Sequence, residues 1–125
     1  MTVPKIMLID DDPDILKKGT LSLTGIARWR VATASSGKEA IHLAPQEEPD
    51  LIVLDTSMPD MDGLTVMAKL REAPVLKTVP IIFTSTHVEA GEEAFYRSKG
   101  ASGLIAKPFN PDTLAQDLLD KAAGK

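Results

Sequence analysis

Short apolar runs alternate along this chain with longer stretches that carry helix start signals, and this alternation constrains the fold more than any other feature. The strand-like runs are Lys5–Ile9, Arg30–Ala34, Asp50–Leu54, Pro80–Thr84 and Gly103–Ala106. Three of these five are almost wholly apolar, as expected for strands covered on both faces of a parallel sheet. Asp12-Pro13 opens the first helix with a capping carboxylate and a proline at the first helical position. Asn110-Pro111-Asp112 is expected to open the last helix in the same way, with Leu114, Leu118 and Ala122 forming its apolar face. Ser36-Gly37 precedes a helix over Lys38–Pro45, and Asp62-Gly63 precedes one over Leu64–Arg71. Val88–Lys99 is the weakest helix, with Val88, Ala94, Phe95 and Tyr96 available to pack. Thr20–Thr24 alternates like a strand, but Ile15, Gly19 and Leu23 fit a helical stripe and the loop lengths favour a helix.

Five strand-helix units in strict alternation imply a three-layer α/β domain with a parallel sheet. Right-handed crossovers leave few topologies, and 125 residues suit the flavodoxin-like (βα)5 arrangement with strand order 2-1-3-4-5. The length fits one compact domain over residues 1–125. No apolar run could span a bilayer, the first residues carry no signal-peptide pattern, and the apolar content of 43% suits a soluble, cytoplasmic protein. The absence of cysteine excludes disulfides, thiolate zinc sites and cysteine nucleophiles. A net charge of −4 argues against direct nucleic-acid binding, which needs a basic face.

In this topology ligands bind beyond the carboxyl ends of the strands, at the switch point between strands one and three. Strand one ends in Asp10-Asp11, strand three in Asp55, strand four in Ser85 and strand five in Lys107. Three carboxylates held together repel unless a cation compensates, and all-oxygen donors favour magnesium over zinc or copper. Lys107 adds a positive charge suited to a carboxylate at rest or to an arriving phosphoryl group. A carboxylate in that setting can act as a nucleophile toward phosphorus, with Ser85 donating to a phosphoryl oxygen.

Four segments in order carry a family resemblance over nearly the whole chain. They are Ile6 to Asp12, Asp50 to Gly63 with its Met58-Pro59 and Asp62-Gly63 elements, Pro80 to Ser85, and Gly100 to Phe109 with Lys107-Pro108-Phe109. Together they resemble the receiver domain of bacterial two-component response regulators, of the chemotaxis-regulator type. The resemblance implies that Asp55 accepts a phosphoryl group from a phosphohistidine on a sensor kinase or phosphotransfer protein. It implies that Asp10, Asp11 and Asp55, with the backbone carbonyl of Ser57, hold magnesium, that Ser85 swings toward the phosphoryl group, and that Lys107 pairs with it. It also implies a cis Lys107-Pro108 peptide and signalling through the face built from Val88–Lys99, Gly103–Ala106 and Pro111–Ala122. Such a domain is a phosphoacceptor that assists its own phosphorylation and dephosphorylation rather than an enzyme acting on another substrate.

The chain departs from the family pattern at Leu104, where members often carry an aromatic residue, and at Thr86, where alanine is frequent. Ser57 and His87 occupy positions that tune phosphoryl hydrolysis in the family. Asp62-Gly63 reads most simply as a turn and helix start. His42 has no partner at metal-ligand spacing, Trp29 suits a shield over a sheet edge or helix junction, or a partner contact, and Met58, Met61 and Met67 read as packing groups. An aspartate-nucleophile phosphatase of the haloacid-dehalogenase type needs a second aspartate where this chain has Ser57. A flavin module needs a Thr/Ser/Gly loop where it has three aspartates. A phosphate-independent interaction module is the remaining alternative. The chain stops at Lys125, just past the last helix. That suits a stand-alone regulator acting on a protein partner or a second copy, or a receiver belonging to a longer protein.

Overall fold

The computed structural model describes residues 4–125. Its five strands are β1 (Lys5–Ile9), β2 (Arg30–Ala34), β3 (Leu51–Asp55), β4 (Ile81–Ser85) and β5 (Gly103–Ala106). They form one parallel sheet in the order β2-β1-β3-β4-β5, the order expected from the alternation. The helices are α1 (Pro13–Leu21), α2 (Gly37–Glu47), α3 (Gly63–Leu70), α4 (Glu92–Ser98) and α5 (Leu114–Ala122). Among the described residues no helix is long and apolar enough to cross a membrane.

The period-2 geometry of the strands divides the core into two layers. Met7 and Ile9 of β1, Ile52 and Leu54 of β3, and Ile81 and Phe83 of β4 face a cluster that includes Ala40 and Ala44 of α2 and Val66, Met67 and Leu70 of α3. Ile6, Leu8, Leu51, Val53 and Ile82 face the other way, onto Leu114 and Leu118 of α5 and Leu23. All of these strand residues are buried, which explains why the runs read as continuously apolar rather than alternating. Trp29 packs against the second cluster beside the edge strand β2, as its position suggested. Met58 and Met67 are buried and Met61 packs against the first cluster.

The two central expectations for strand limits shift by one residue. β3 begins at Leu51 because the Asp50 side chain turns back to accept the Lys5 N–H at 2.9 Å. It runs on through Asp55, and the Thr56 N–H still donates to the Thr84 carbonyl. β4 begins after Pro80, which has no N–H to add to the ladder.

The helices differ more. The helical reading of Thr20–Thr24 holds only in part: α1 ends at Leu21, and Ser22–Ile26 continues as a wider π turn closed by the Ala27 N–H on the Ser22 carbonyl. The Ser22 hydroxyl, buried there, donates to the Pro111 carbonyl and ties this turn to the start of the last segment. The proposed opening of α5 at Asn110-Pro111 is corrected. The Asn110 side chain accepts the Asp112 N–H instead, making a local turn, and the helix begins at Leu114. The helix expected over Val88–Lys99 contracts to Glu92–Ser98, entered through Gly91 at φ 88°, and none of its residues is fully buried. α2 runs past Pro45 to Glu47 and stops where Glu48 turns left-handed.

Candidate functional site

Asp10 follows β1 directly and is buried; its Oδ1 accepts the Asp12 N–H at 2.9 Å. Asp12 then caps α1 by accepting the Asp14 N–H, leaving Asp11 exposed at the rim. Asp55 ends β3, also buried, and accepts the Ser57 N–H at 3.2 Å. From the other side of the cleft Lys107 arrives just after β5, past which the Lys107-Pro108 peptide is cis, as expected. Its Nζ lies 2.9 Å from Asp10 Oδ2 and 3.2 Å from Asp55 Oδ2, and all three side chains are under a tenth exposed.

The parallel register is what collects these groups. Ile9 is level with Leu54, and Asp55 with Thr84, so the next positions of β1, β3 and β4 meet at one edge. They line an open cleft of about 400 Å³ formed by Asp10, Asp11, Asp12, Asp55, Thr56, Ser57, Ser85, Thr86 and Lys107.

Charge is unbalanced there. Burial first, and then the neighbouring Asp10 charge, push the Asp55 carboxyl up to about 6, against the opposing pull of the Ser57 N–H and Lys107. Burial alone would lower the Lys107 pKa, but the bond to Asp10 and the charges of Asp10 and Asp55 more than offset it and raise it. Oxygens of Asp10, Asp11 and Asp55 lie within 4.8 Å of one another. One ammonium facing three carboxylates of this kind leaves a deficit of positive charge, and the donors are all hard oxygens. The residues therefore fit a magnesium ion.

Ser85 reaches the rim, but its hydroxyl is committed elsewhere. It donates to the His87 carbonyl at 3.0 Å and accepts the His87 N–H at 3.2 Å, closing the start of the β4–α4 loop on itself. His87 continues that loop with an exposed contact to Glu89 at 2.9 Å. Ser57 pairs with Asp62 in an isolated antiparallel bridge, and Asp62 caps α3 by accepting the Thr65 N–H at 2.8 Å, as its turn-and-helix reading anticipated. Leu104 is buried in the first core cluster. Phe83 is level with it in the neighbouring strand, and Tyr96 of α4 packs against the same cluster with its ring 4.6 Å from that of Phe83.

Three residues make contacts around the site that the sequence did not specify. Asp60 binds the start of α2, Glu93 of α4 accepts the Leu104 N–H at 3.0 Å while pairing with Lys121 of α5, and Tyr96 rests over Phe83. Each acts across a fold contact that no local periodicity announces.

The family model for the response regulator receiver domain matches residues 6–119. The chain belongs to that family. Among curated relatives, it is 38% identical over 122 residues to the nitrate/nitrite response regulator protein NarL of Escherichia coli, covering 96% of this chain and 55% of that protein. It is 34% identical over 107 residues to the transcriptional regulatory protein KdpE of Mycobacterium tuberculosis, covering 86% of this chain and 46% of that protein. The receiver chain thus spans about half the length of the curated relatives it matches. Among solved structures, the chemotaxis response regulator CheY4 of Vibrio cholerae is similar over 96% of this chain and 99% of its own, with a TM-score of 0.87 and 31% identity. The same five-stranded parallel order and flanking helices define the receiver fold here.

Proposed function

We propose that this receiver domain accepts a phosphoryl group on Asp55 from a phosphohistidine of a sensor kinase or phosphotransfer protein, with magnesium as the required cation. The observation that carries this reading is the placement of Asp55: a strand-end carboxylate 3.2 Å from Lys107, within a cluster of three carboxylates that this one ammonium only partly compensates. In the transfer, an Asp55 oxygen forms a bond to phosphorus as the phosphorus–nitrogen bond breaks and its electron pair returns to the donor imidazole. Lys107, already facing Asp55, pairs with the incoming phosphoryl oxygens. Ser85 exchanges its bonds to His87 for one to the phosphoryl group. Asp10, Asp11 and Asp55 would hold magnesium, with the Ser57 carbonyl as a further ligand, and the ion would neutralise charge on the transferring oxygens.

Domain 1–125 on this reading is a phosphoacceptor acting in the cytoplasm, not an enzyme that turns over a separate substrate. Release of the Ser85–His87 bonds frees the loop that leads into α4, a helix with no fully buried residue. The face formed by α4, β5 and α5 then shifts, and a protein partner or a second copy reads the change. No contact of this domain with nucleic acid or membrane is part of the reading.

The test is intact-protein mass after incubation with acetyl phosphate and magnesium, beside Asp55→Asn and a chelated sample. One phosphoryl adduct that requires both Asp55 and the metal is the expected result. If the native chain takes no adduct and no beryllofluoride, the domain is a phosphate-independent interaction module.

A further inference from the structure

Asp60 stands at the tip of the loop that follows Asp55, and its carboxylate reaches across to the start of α2. Oδ1 accepts the Gly37 N–H at 3.1 Å and Oδ2 accepts the Lys38 N–H at 2.9 Å. Those donors belong to the first turn of the helix, where amides have no partner within the helix itself. The two bonds, that of Lys38 foremost, hold the Asp60 carboxyl below the usual carboxylate range. Packing reinforces them: a Cβ added at Gly37 would lie 2.6 Å from Met61 Cγ and 2.8 Å from Val66 Cγ2. Helix end and loop tip thus approach as closely as a glycine allows.

The base of the same loop is closed separately. The Gly63 N–H donates to the Thr56 carbonyl at 2.8 Å, and Ser57 bridges to Asp62. Ser57 therefore sits on a loop fastened at its base to β3 and at its tip to a different helix. We propose that Asp60 is a positioning residue for the cation, holding this loop so that the Ser57 carbonyl meets the oxygens of Asp10, Asp11 and Asp55. The proposal rests on reading the acidic cluster as a magnesium site. It assigns Asp60, which is not a member of that cluster, a share in its affinity.

The experiment is a magnesium titration of the full chain followed by amide NMR shifts of Asp11 and Ser57. It compares the native protein with Asp60→Ala, Asp60→Asn and Ser36→Ala. Ser36 Oγ accepts the Glu39 N–H at 3.1 Å, so its removal weakens the same helix end without touching the loop. Asp60→Ala is expected to raise the magnesium Kd about tenfold, the cost typical of an outer-shell partner. Asp60→Asn, which keeps one acceptor, should lose less, and Ser36→Ala should match the native Kd. An unchanged Kd in Asp60→Ala, or an equal loss in Ser36→Ala, overturns the proposal while leaving the magnesium site intact. A native chain that binds no magnesium overturns the reading of the cluster and the proposal together.

Discussion

Lys107 Nζ stands 3.2 Å from Asp55 Oδ2 while bonding Asp10 Oδ2 at 2.9 Å, so one buried ammonium serves two buried carboxylates. Removing it leaves two buried carboxylates of the cleft without that counter-ion. Lys107→Met should therefore cost about 3 kcal/mol of stability at pH 7 in the presence of chelator. Urea unfolding with and without magnesium checks this, and magnesium should restore part of the loss. A cost below about 1 kcal/mol would mean that solvent screens the site more than its burial implies.

The Asp55 carboxyl predicts a particular acid response in chelated protein. Its folded pKa of about 6 exceeds the unfolded value of 3.8, so the folded state binds the proton more tightly. The associated stability is fully present below 3.8 and is lost as the pH rises through about 6. Asp55→Asn, which mimics the neutral form, should be more stable than the native chain by about 2 kcal/mol at pH 7, with the gap closing toward pH 4. Denaturant melts across that range decide it; a native chain equal to the variant at pH 7 would sink the idea.

Gly63 lies against the phosphoacceptor segment with no room for a side chain. A Cβ there would fall 2.6 Å from the Asp55 carbonyl oxygen and 2.6 Å from Phe83 Cε1. Gly63→Ala should cost about 2 kcal/mol because main chain must move to admit the methyl group. Gly25→Ala, where nothing lies within 4 Å, is the contrast and should change stability little or raise it. Thermal melts of the two variants would separate a packing cost from a general effect of replacing glycine.

Glu93 ties three elements together through the Leu104 N–H, Lys121 and, at 3.8 Å, Arg97. Burial alone would raise its carboxyl, but the bond from Lys121, with the Leu104 N–H next, outweighs it and lowers the pKa below 4.5. A depressed carboxylate stabilises the fold above its unfolded pKa, and this contribution is lost as the pH falls through the folded value. Glu93→Gln should therefore be less stable than the native chain by about 1 kcal/mol at neutral pH, the carboxylate being partly solvated. The two melting curves should converge below pH 4.5. Parallel curves down to pH 3 would show that the charge of Glu93 contributes nothing.

The strands and the placement of Asp10, Asp55, Ser85 and Lys107 were legible because a doubly covered parallel sheet demands continuous apolar runs, and whatever follows such a run lies at its carboxyl edge. Contacts between distant segments were less so. The start of α5 moved because the Asn110 side chain preferred a turn of its own, and α1 ended in a π turn that propensity does not forecast. Asp60 finds its donors 22 and 23 residues away, a pairing written only in the folded loop. The orientation of the Ser85 hydroxyl likewise depends on the path of the loop after it rather than on the strand that delivers it.

The Lys107–Asp10 bond joins positions 97 residues apart, from the first strand to just beyond the fifth. A pocket closed by such a bond cannot exist in a fragment or a partly assembled sheet. Any ion or group that binds there draws its grip from the complete order of strands, so occupancy must raise the free energy of global unfolding by mass action rather than merely quieten a local loop. Saturation of the cleft and resistance to denaturant become two readouts of one equilibrium. The domain's ability to receive a signal would then decline in step with its folded population and not ahead of it.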